Sequence, residues 1–397
     1  MIFKAKQRFL RCTAVLLCTS AFAVAALYLV PVMQSVQVGQ ALSLSGAAAA
    51  AAPQTAETTA SAAYDASAAY DASAASDASA SDAASETNTV PILRRQAAAP
   101  QSNVITWESE SSAAMHNARL YQNPLTNIAG SIVKKHYGKQ SGTMFFALDN
   151  GGQVRNSTFW NNADLLAESR ILPGLDLKAD GTPMVLIYHT HTTESYQETD
   201  AGVYDAAYNF RTTEPDRNMV AVGDAIAVQL AAAGIGVVHA EEIHDYPVWN
   251  KSYSRSAETI KAILEEYPSI CIALDIHRDA ITSGTTVYAP VTEIDGKQSA
   301  QIMIISGCDD GTMNLPDYRD NFHLASILQQ TAETMYAGFT RPIMFDYRKY
   351  NQDLTHGSLL IEVGSQGNTL DEATYAGELL GQALSAVILQ LAEGASD

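Results

Sequence analysis

The chain has 397 residues, room for two or three domains, with 24 basic against 43 acidic side chains and a net charge of −19. So acidic a chain lacks the basic face that nucleic-acid binding requires. Its four cysteines (Cys12, Cys18, Cys271, Cys308) contain no CxxC pair, so neither a disulfide framework nor a thiolate metal site is indicated.

Lys4, Lys6, Arg8 and Arg11 precede an uncharged apolar run from Thr13 to Met33. Such a run, about 20 residues, crosses a bilayer as a helix, and the basic flank stays inside. The expected layout is a cytoplasmic tail at 1–12, a transmembrane anchor at 13–34 and an extracytoplasmic remainder. A cleaved signal peptide is the alternative. The small-x-small site Ala21-Phe22-Ala23 falls in mid-run, which favours the anchor.

Residues 35–103 are dominated by Ala, Ser, Thr and Asp. Ala-Ala-Tyr-Asp-Ala-Ser starts at Ala62 and again at Ala68, with a variant at Ala74. This is low complexity without the large apolar side chains that offset ordering entropy, and it reads as a disordered tether. A flexible chain of about 65 residues has an r.m.s. reach near 45 Å. Globular character begins near Val104. Residues 104–180 form an N-terminal part with a short strand at 143–148 and a turn at 149–152.

From 181 the pattern becomes regular. Met184–Tyr188 is an apolar strand running into His189-Thr-His-Thr-Thr-Glu194. Asn218–Ala233 has helical spacing, closed by Gly234, and Ile235–Ala240 is a strand. A helix from Ser254 or Ser256 runs to Tyr267. Ile270–Ile276 is a strand ending in His277-Arg278-Asp279. The segments Thr285–Val291 and Gln301–Ile305 suggest a hairpin around Ile294-Asp-Gly296, an antiparallel extension of the sheet. A helix at Asn321–Tyr336 follows. A strand at Ser358–Ile361 ends in Glu362, and a helix runs from Leu370 to about Leu391. The alternation predicts an α/β fold, a mainly parallel sheet with helices on both faces.

Three apolar strands thus finish on His189, His277 and Glu362. In a parallel sheet these ends lie on one edge, where ligands bind. Two imidazoles and a carboxylate suit Zn²⁺, and a second carboxylate suits general base work. His116, His136, His239, His244, His323 and His356 have no comparable setting and read as structural.

Leu186–Tyr196, Leu274–Asp279, Tyr350–Asp353 and Leu360–Leu370 together resemble the stage II sporulation protein P family, over about residues 180–395. The resemblance implies a zinc-dependent peptidoglycan hydrolase of the N-acetylmuramoyl-L-alanine amidase type, with endopeptidase activity on crosslinks also attributed to the family. It implies an amidase-like catalytic domain at 181–397, held at the septal or engulfing membrane during endospore formation. It also implies stage II sporulation proteins D and M as partners. Residue by residue, it makes His189 and His277 the metal histidines and Glu362 the carboxylate that activates water. Glu194 is the first choice for the third ligand and Glu214, ahead of a helix, is its rival. His191 is expected to bind substrate or support the ligands, Asp275 or Asp279 to orient His277, and Arg278 to polarise the scissile carbonyl or bind a peptide carboxylate. A phosphoesterase-like metal hydrolase and a non-catalytic wall-binding scaffold are the competing readings.

Overall fold

The computed structural model describes residues 92–96, 103–116 and 125–394. The expected tail, anchor and most of the tether lie outside these residues. Among the described residues, no helix is long and apolar enough to cross a membrane.

The strands in chain order are β1 (Ile92–Gln96), β2 (Val104–Ser109), β3 (Ile128–Lys135), β4 (Phe145–Ala147), β5 (Gln153–Asn156), β6 (Pro183–Tyr188), β7 (Val203–Asp205), β8 (Gly236–Ala240), β9 (Ile272–Asp279), β10 (Thr282–Ser283), β11 (Thr286–Ile294), β12 (Lys297–Ala300), β13 (Ile302–Gly307), β14 (Ile343–Asp346) and β15 (Gly357–Ser365). The helices are α1 (Glu110–His116), α2 (Asn162–Glu168), α3 (Met219–Ala232), α4 (Ser252–Glu266), α5 (Tyr318–Met335) and α6 (Leu370–Gly394).

The fold is mixed α/β around a ten-stranded sheet, ordered β1-β2-β8-β6-β9-β15-β13-β14-β5-β4. Strands β2, β8, β6, β9 and β15 are mutually parallel, as the βα alternation predicts. Strand β13 then enters antiparallel to β15, and β14 and β5 run with β13. The parallel expectation holds for the middle of the sheet and fails beyond β15.

The expected hairpin is resolved differently. Strand β11 turns at Asp295 and Gly296, both at positive φ, into β12. Strand β13 leaves for the central sheet. A second sheet, ordered β10-β11-β3-β7, takes the remainder. The segment 104–180 supplies β2 and β5 to the large sheet and β3 to the small one, so it is woven into the same fold as 181–394. The tether expected to reach 103 is interrupted by β1, antiparallel to β2.

Strand alternation sorts the core into two faces. On β6, Val185 and Ile187 join the cluster that includes Met219, Val222 and Ile226 of α3 and Leu380 and Leu384 of α6. Leu186 and Tyr188 join Ile260 and Ile263 of α4 on the other face. On β9, Ile272, Leu274 and Ile276 face α3, and Ala273 faces α4. This sorting decides which strand-end residues meet.

Candidate functional site

Strands β9 and β15 place His277 directly opposite Glu362 in register. On β9, His277 follows Ala273 and Asp275, so it lies on the α4 face. After β6 the chain folds back through a turn, with Glu194 N donating to His191 O. The turn returns His191 and Glu194 to His277. The His191 and His277 rings meet edge to face with centroids 5.1 Å apart. Glu194 Oε2 lies 3.7 Å from His277 Nδ1 and accepts from the Arg278 backbone N–H at 3.2 Å.

Asp275 anchors this corner. It is fully buried and accepts from Thr190 N at 2.8 Å and Thr190 Oγ1 at 2.7 Å. Its Oδ1 also lies 2.8 Å from His277 Nε2. This is a close charge contact without hydrogen-bond geometry, since His277 Nε2 has no hydrogen-bond partner.

The electrostatics fit a cation site. Burial opposes charge on His277, but Asp275, Glu194 and Glu362 outweigh it and push its pKa up to about 10. Burial and Asp279, with Glu194 adding, hold the Glu362 carboxyl well above its usual range; His277 and Arg341 oppose them. Burial and His277 push His191 well below the usual histidine range, so it is a neutral donor. His191 Nδ1, His277 Nε2 and Glu362 Oε2 are buried without a hydrogen-bond partner. Enclosed polar atoms of this kind call for a ligand. A tetrahedral zinc with bonds of about 2.0–2.1 Å places its donors about 3.3 Å apart. The His277–Glu194 separation of 3.7 Å is close to that value, while His191, Glu194 and His277 together do not bring three ligating atoms within 4.8 Å of one another.

Trp249 stacks on His191 with centroids 5.3 Å apart, and Tyr253 stacks on Tyr350 at 5.3 Å. These aromatics form one wall of the corner. Tyr350 belongs to the Tyr350–Asp353 motif, whereas Trp249 and Tyr253 lie outside every motif.

Two expected site residues are corrected. His189 continues the alternation of Val185 and Ile187, so its ring lies on the α3 face, opposite His277. It is fully buried, with Nε2 3.0 Å from His239 Nε2 and Nδ1 3.0 Å from Ile276 O. Both nitrogens are therefore engaged by protein, and neither faces the Glu194–His277 pair. The α3 backbone packs against it at Gly223. The histidine beside His277 is His191, which the sequence had assigned a supporting role. Arg278, expected to act on substrate, spends its guanidinium on backbone carbonyls. Nε donates to Ser195 O at 2.9 Å, Nη2 to Phe210 O at 3.0 Å and Nη1 to Asp279 O at 3.3 Å. It clamps the loop after His191 rather than facing the corner.

Of the rival carboxylates, Glu194 is the one in contact with His277, whereas Glu214 is ion-paired with Arg217. Asp279 pairs with the fully buried Arg341 at 2.8 Å and not with His277. Among the described residues, two groups bring three ligating atoms within 4.8 Å of one another: Asp224, His239 and Glu241, and Asp317, Asp320 and His356. His239 and His356, read from sequence as structural, thus belong to metal-capable clusters.

The family model described as Stage II sporulation protein P matches residues 52–385. Stage II sporulation protein P of Bacillus subtilis (strain 168) is 30% identical over 210 residues, covering 49% of this chain and 48% of the relative. The chain therefore spans about half the length of this curated relative. Among solved structures, the N-acetylmuramoyl-L-alanine amidase AmiC2 of Nostoc punctiforme is 14% identical, covering 54% of this chain and 99% of its own, with a TM-score of 0.33. The CwlD amidase of Clostridioides difficile, solved in complex with the GerS lipoprotein, is 10% identical, covering 53% and 99%, with a TM-score of 0.34.

Proposed function

The chain belongs to the stage II sporulation protein P family, and from that premise we propose that it is a peptidoglycan hydrolase of sporulation that cleaves the N-acetylmuramoyl-L-alanine amide. The observation that carries the reading is the meeting of His191, Glu194, His277 and Glu362 from three separate segments at one sheet edge. We further propose an anchor at 13–34, a tether that lets the catalytic fold search a wall layer, and proteins D and M of stage II as partners.

His191, Glu194 and His277 would hold zinc, which when bound polarises the scissile carbonyl. Asp275 sets its charge 2.8 Å from His277 Nε2, while Nδ1 lies 3.7 Å from Glu194. The Arg278 backbone N–H and Arg211 Nη2 hold the two oxygens of Glu194. Glu362, raised in pKa, takes a proton from the attacking water and returns it to the L-alanine nitrogen as that bond breaks. A carboxyl with raised proton affinity is suited to both transfers.

Mass analysis of products from intact peptidoglycan treated with the full chain tests this. Free stem peptides and bare glycan strands, abolished by chelator and restored by zinc, are expected. Uncrosslinked peptides still attached to glycan would make the protein an endopeptidase instead. Product formation insensitive to chelator would remove the metal from the account.

A further inference from the structure

The loop between β8 and α4 raises three large apolar side chains into solvent beside the candidate site. Tyr246, Val248 and Trp249 are 36%, 58% and 37% exposed. Among the described residues, no other four-residue stretch exposes so many. Single exposed apolar residues are ordinary, whereas a contiguous group marks a contact surface. The loop is also held in place. Arg255 of α4 donates from Nε to His244 O at 2.7 Å, from Nη1 to Asn250 O at 2.8 Å and from Nη2 to Val248 O at 2.5 Å. Asp245 accepts from Thr193 N at 3.1 Å and from Thr193 Oγ1 at 2.7 Å. Glu242 O accepts from Thr192 Oγ1 at 2.7 Å. The loop is thus fastened to the turn that carries His191 and Glu194. A surface held this way binds with little ordering cost.

Trp249 is the member of the group that reaches the site. Its indole lies nearly parallel to the His191 ring, at 15° and 5.3 Å between centroids, and His191 in turn meets His277 at 5.1 Å. His191 covers one face of the indole, so the exposed part is the face and edge turned away from it. A flat apolar face suits the C–H face of a pyranose, whose hydroxyls leave sideways into water. Charge chooses between the two halves of the substrate. Arg255 is spent on loop carbonyls and Arg211 Nη1 on Asp245 at 2.6 Å, which leaves Lys251 against Glu241 and Glu242 along the loop. That surface offers little to a stem peptide bearing carboxylates. The glycan is uncharged while its lactyl carboxyl is tied up in the amide. The lactyl arm joining ring to amide is short, which matches the single ring step from Trp249 to His191.

We propose that Trp249 is the platform on which a sugar ring of the glycan strand stacks, beside the amide to be cleaved. The choice of a sugar rests on the peptidoglycan hydrolase reading above. Tyr246 and Val248 add apolar surface on the same loop. The platform selects the glycan half of the substrate and leaves the peptide to the rest of the corner.

Calorimetric titration of the full chain with chitotetraose, an uncharged N-acetylglucosamine oligomer that carries no peptide, tests the proposal. The parent should bind it saturably. Trp249→Leu keeps an apolar side chain without the flat face and should bind at least tenfold more weakly, whereas Trp249→Phe should stay within about threefold of the parent. Tryptophan emission supplies a second readout in protein whose fold is intact. Chitotetraose should change the emission of the parent and leave that of Trp249→Phe unchanged. No saturable binding by the parent, equal affinity in parent and Trp249→Leu, or an emission change that persists in Trp249→Phe would each overturn the platform, even if stem peptides are released. Because binding needs no turnover, a chain that holds chitotetraose through Trp249 and releases no stem peptides would sink the amidase reading and leave the platform standing.

Discussion

Gly223 gives the sharpest mechanical test of where His189 lies. It sits in the interior of α3, where alanine is ordinarily better than glycine by about 1 kcal/mol. A Cβ built there falls 2.4 Å from His239 Nε2, 2.7 Å from His239 Cε1 and 2.8 Å from His189 Nε2. Neither ring can retreat, since both are fully buried and held at their far nitrogens by Ile276 O and Asp224. Overpacking costs about 1–3 kcal/mol, and separating the two imidazoles strands a buried donor at about 1–3 kcal/mol more. Net of the helix gain, Gly223→Ala should destabilise by about 1–5 kcal/mol. At a urea m-value of about 3 kcal/mol/M this lowers the unfolding midpoint by roughly 0.3–1.7 M. Gly174→Ala is the control, because nothing lies within 4 Å of its Cβ position. A midpoint for Gly223→Ala equal to or above the control would show that no histidine pair lies under α3.

Three further outcomes follow from the same geometry. Asp279→Ala leaves the fully buried Arg341 without its 2.8 Å partner and should cost about 3–5 kcal/mol in urea unfolding; a loss below about 1 kcal/mol would contradict the pairing. His277 has its pKa raised to about 10, so the stabilisation it gives metal-free protein is complete below its unfolded pKa near 6.5 and disappears as pH rises through about 10. In the same window zinc must displace that proton, so apparent affinity should rise about tenfold per pH unit from 7 to 9, and a flat profile would refute it. Glu362→Gln should retain zinc and lose at least hundredfold in turnover on muropeptides, whereas loss of both would make Glu362 a ligand.

Much of the fold was readable because β6, β9 and β15 are continuous apolar runs buried on both faces. His277 and Glu362 each lie within their strands, where register alone sets them side by side. His189 was misplaced for a related reason. The strand alternation persists one residue past Tyr188, and the sequence does not mark which side of the sheet carries the site. Only the tertiary sorting of Val185 and Ile187 toward α3 settles it. Arg278 is one residue from His277 and so points to the other side. An antiparallel extension involving Gln301–Ile305 was expected, but its partner was not, because the apolar run Ile302–Ile305 does not mark which strand it joins, here β15. Trp249 and Tyr253 carry no motif signal, since they reach His191 only through packing of the loop before α4 and of that helix's first turn.

The central claim is that His191, not His189, joins His277 at the reacting centre. Muropeptide turnover of His191→Ala and His189→Asn, assayed side by side with excess zinc, tests it most directly. The account predicts that His191→Ala loses turnover that added zinc does not restore. It predicts that His189→Asn unfolds at lower urea yet still releases stem peptides. Turnover retained in His191→Ala and abolished in folded His189→Asn would contradict it.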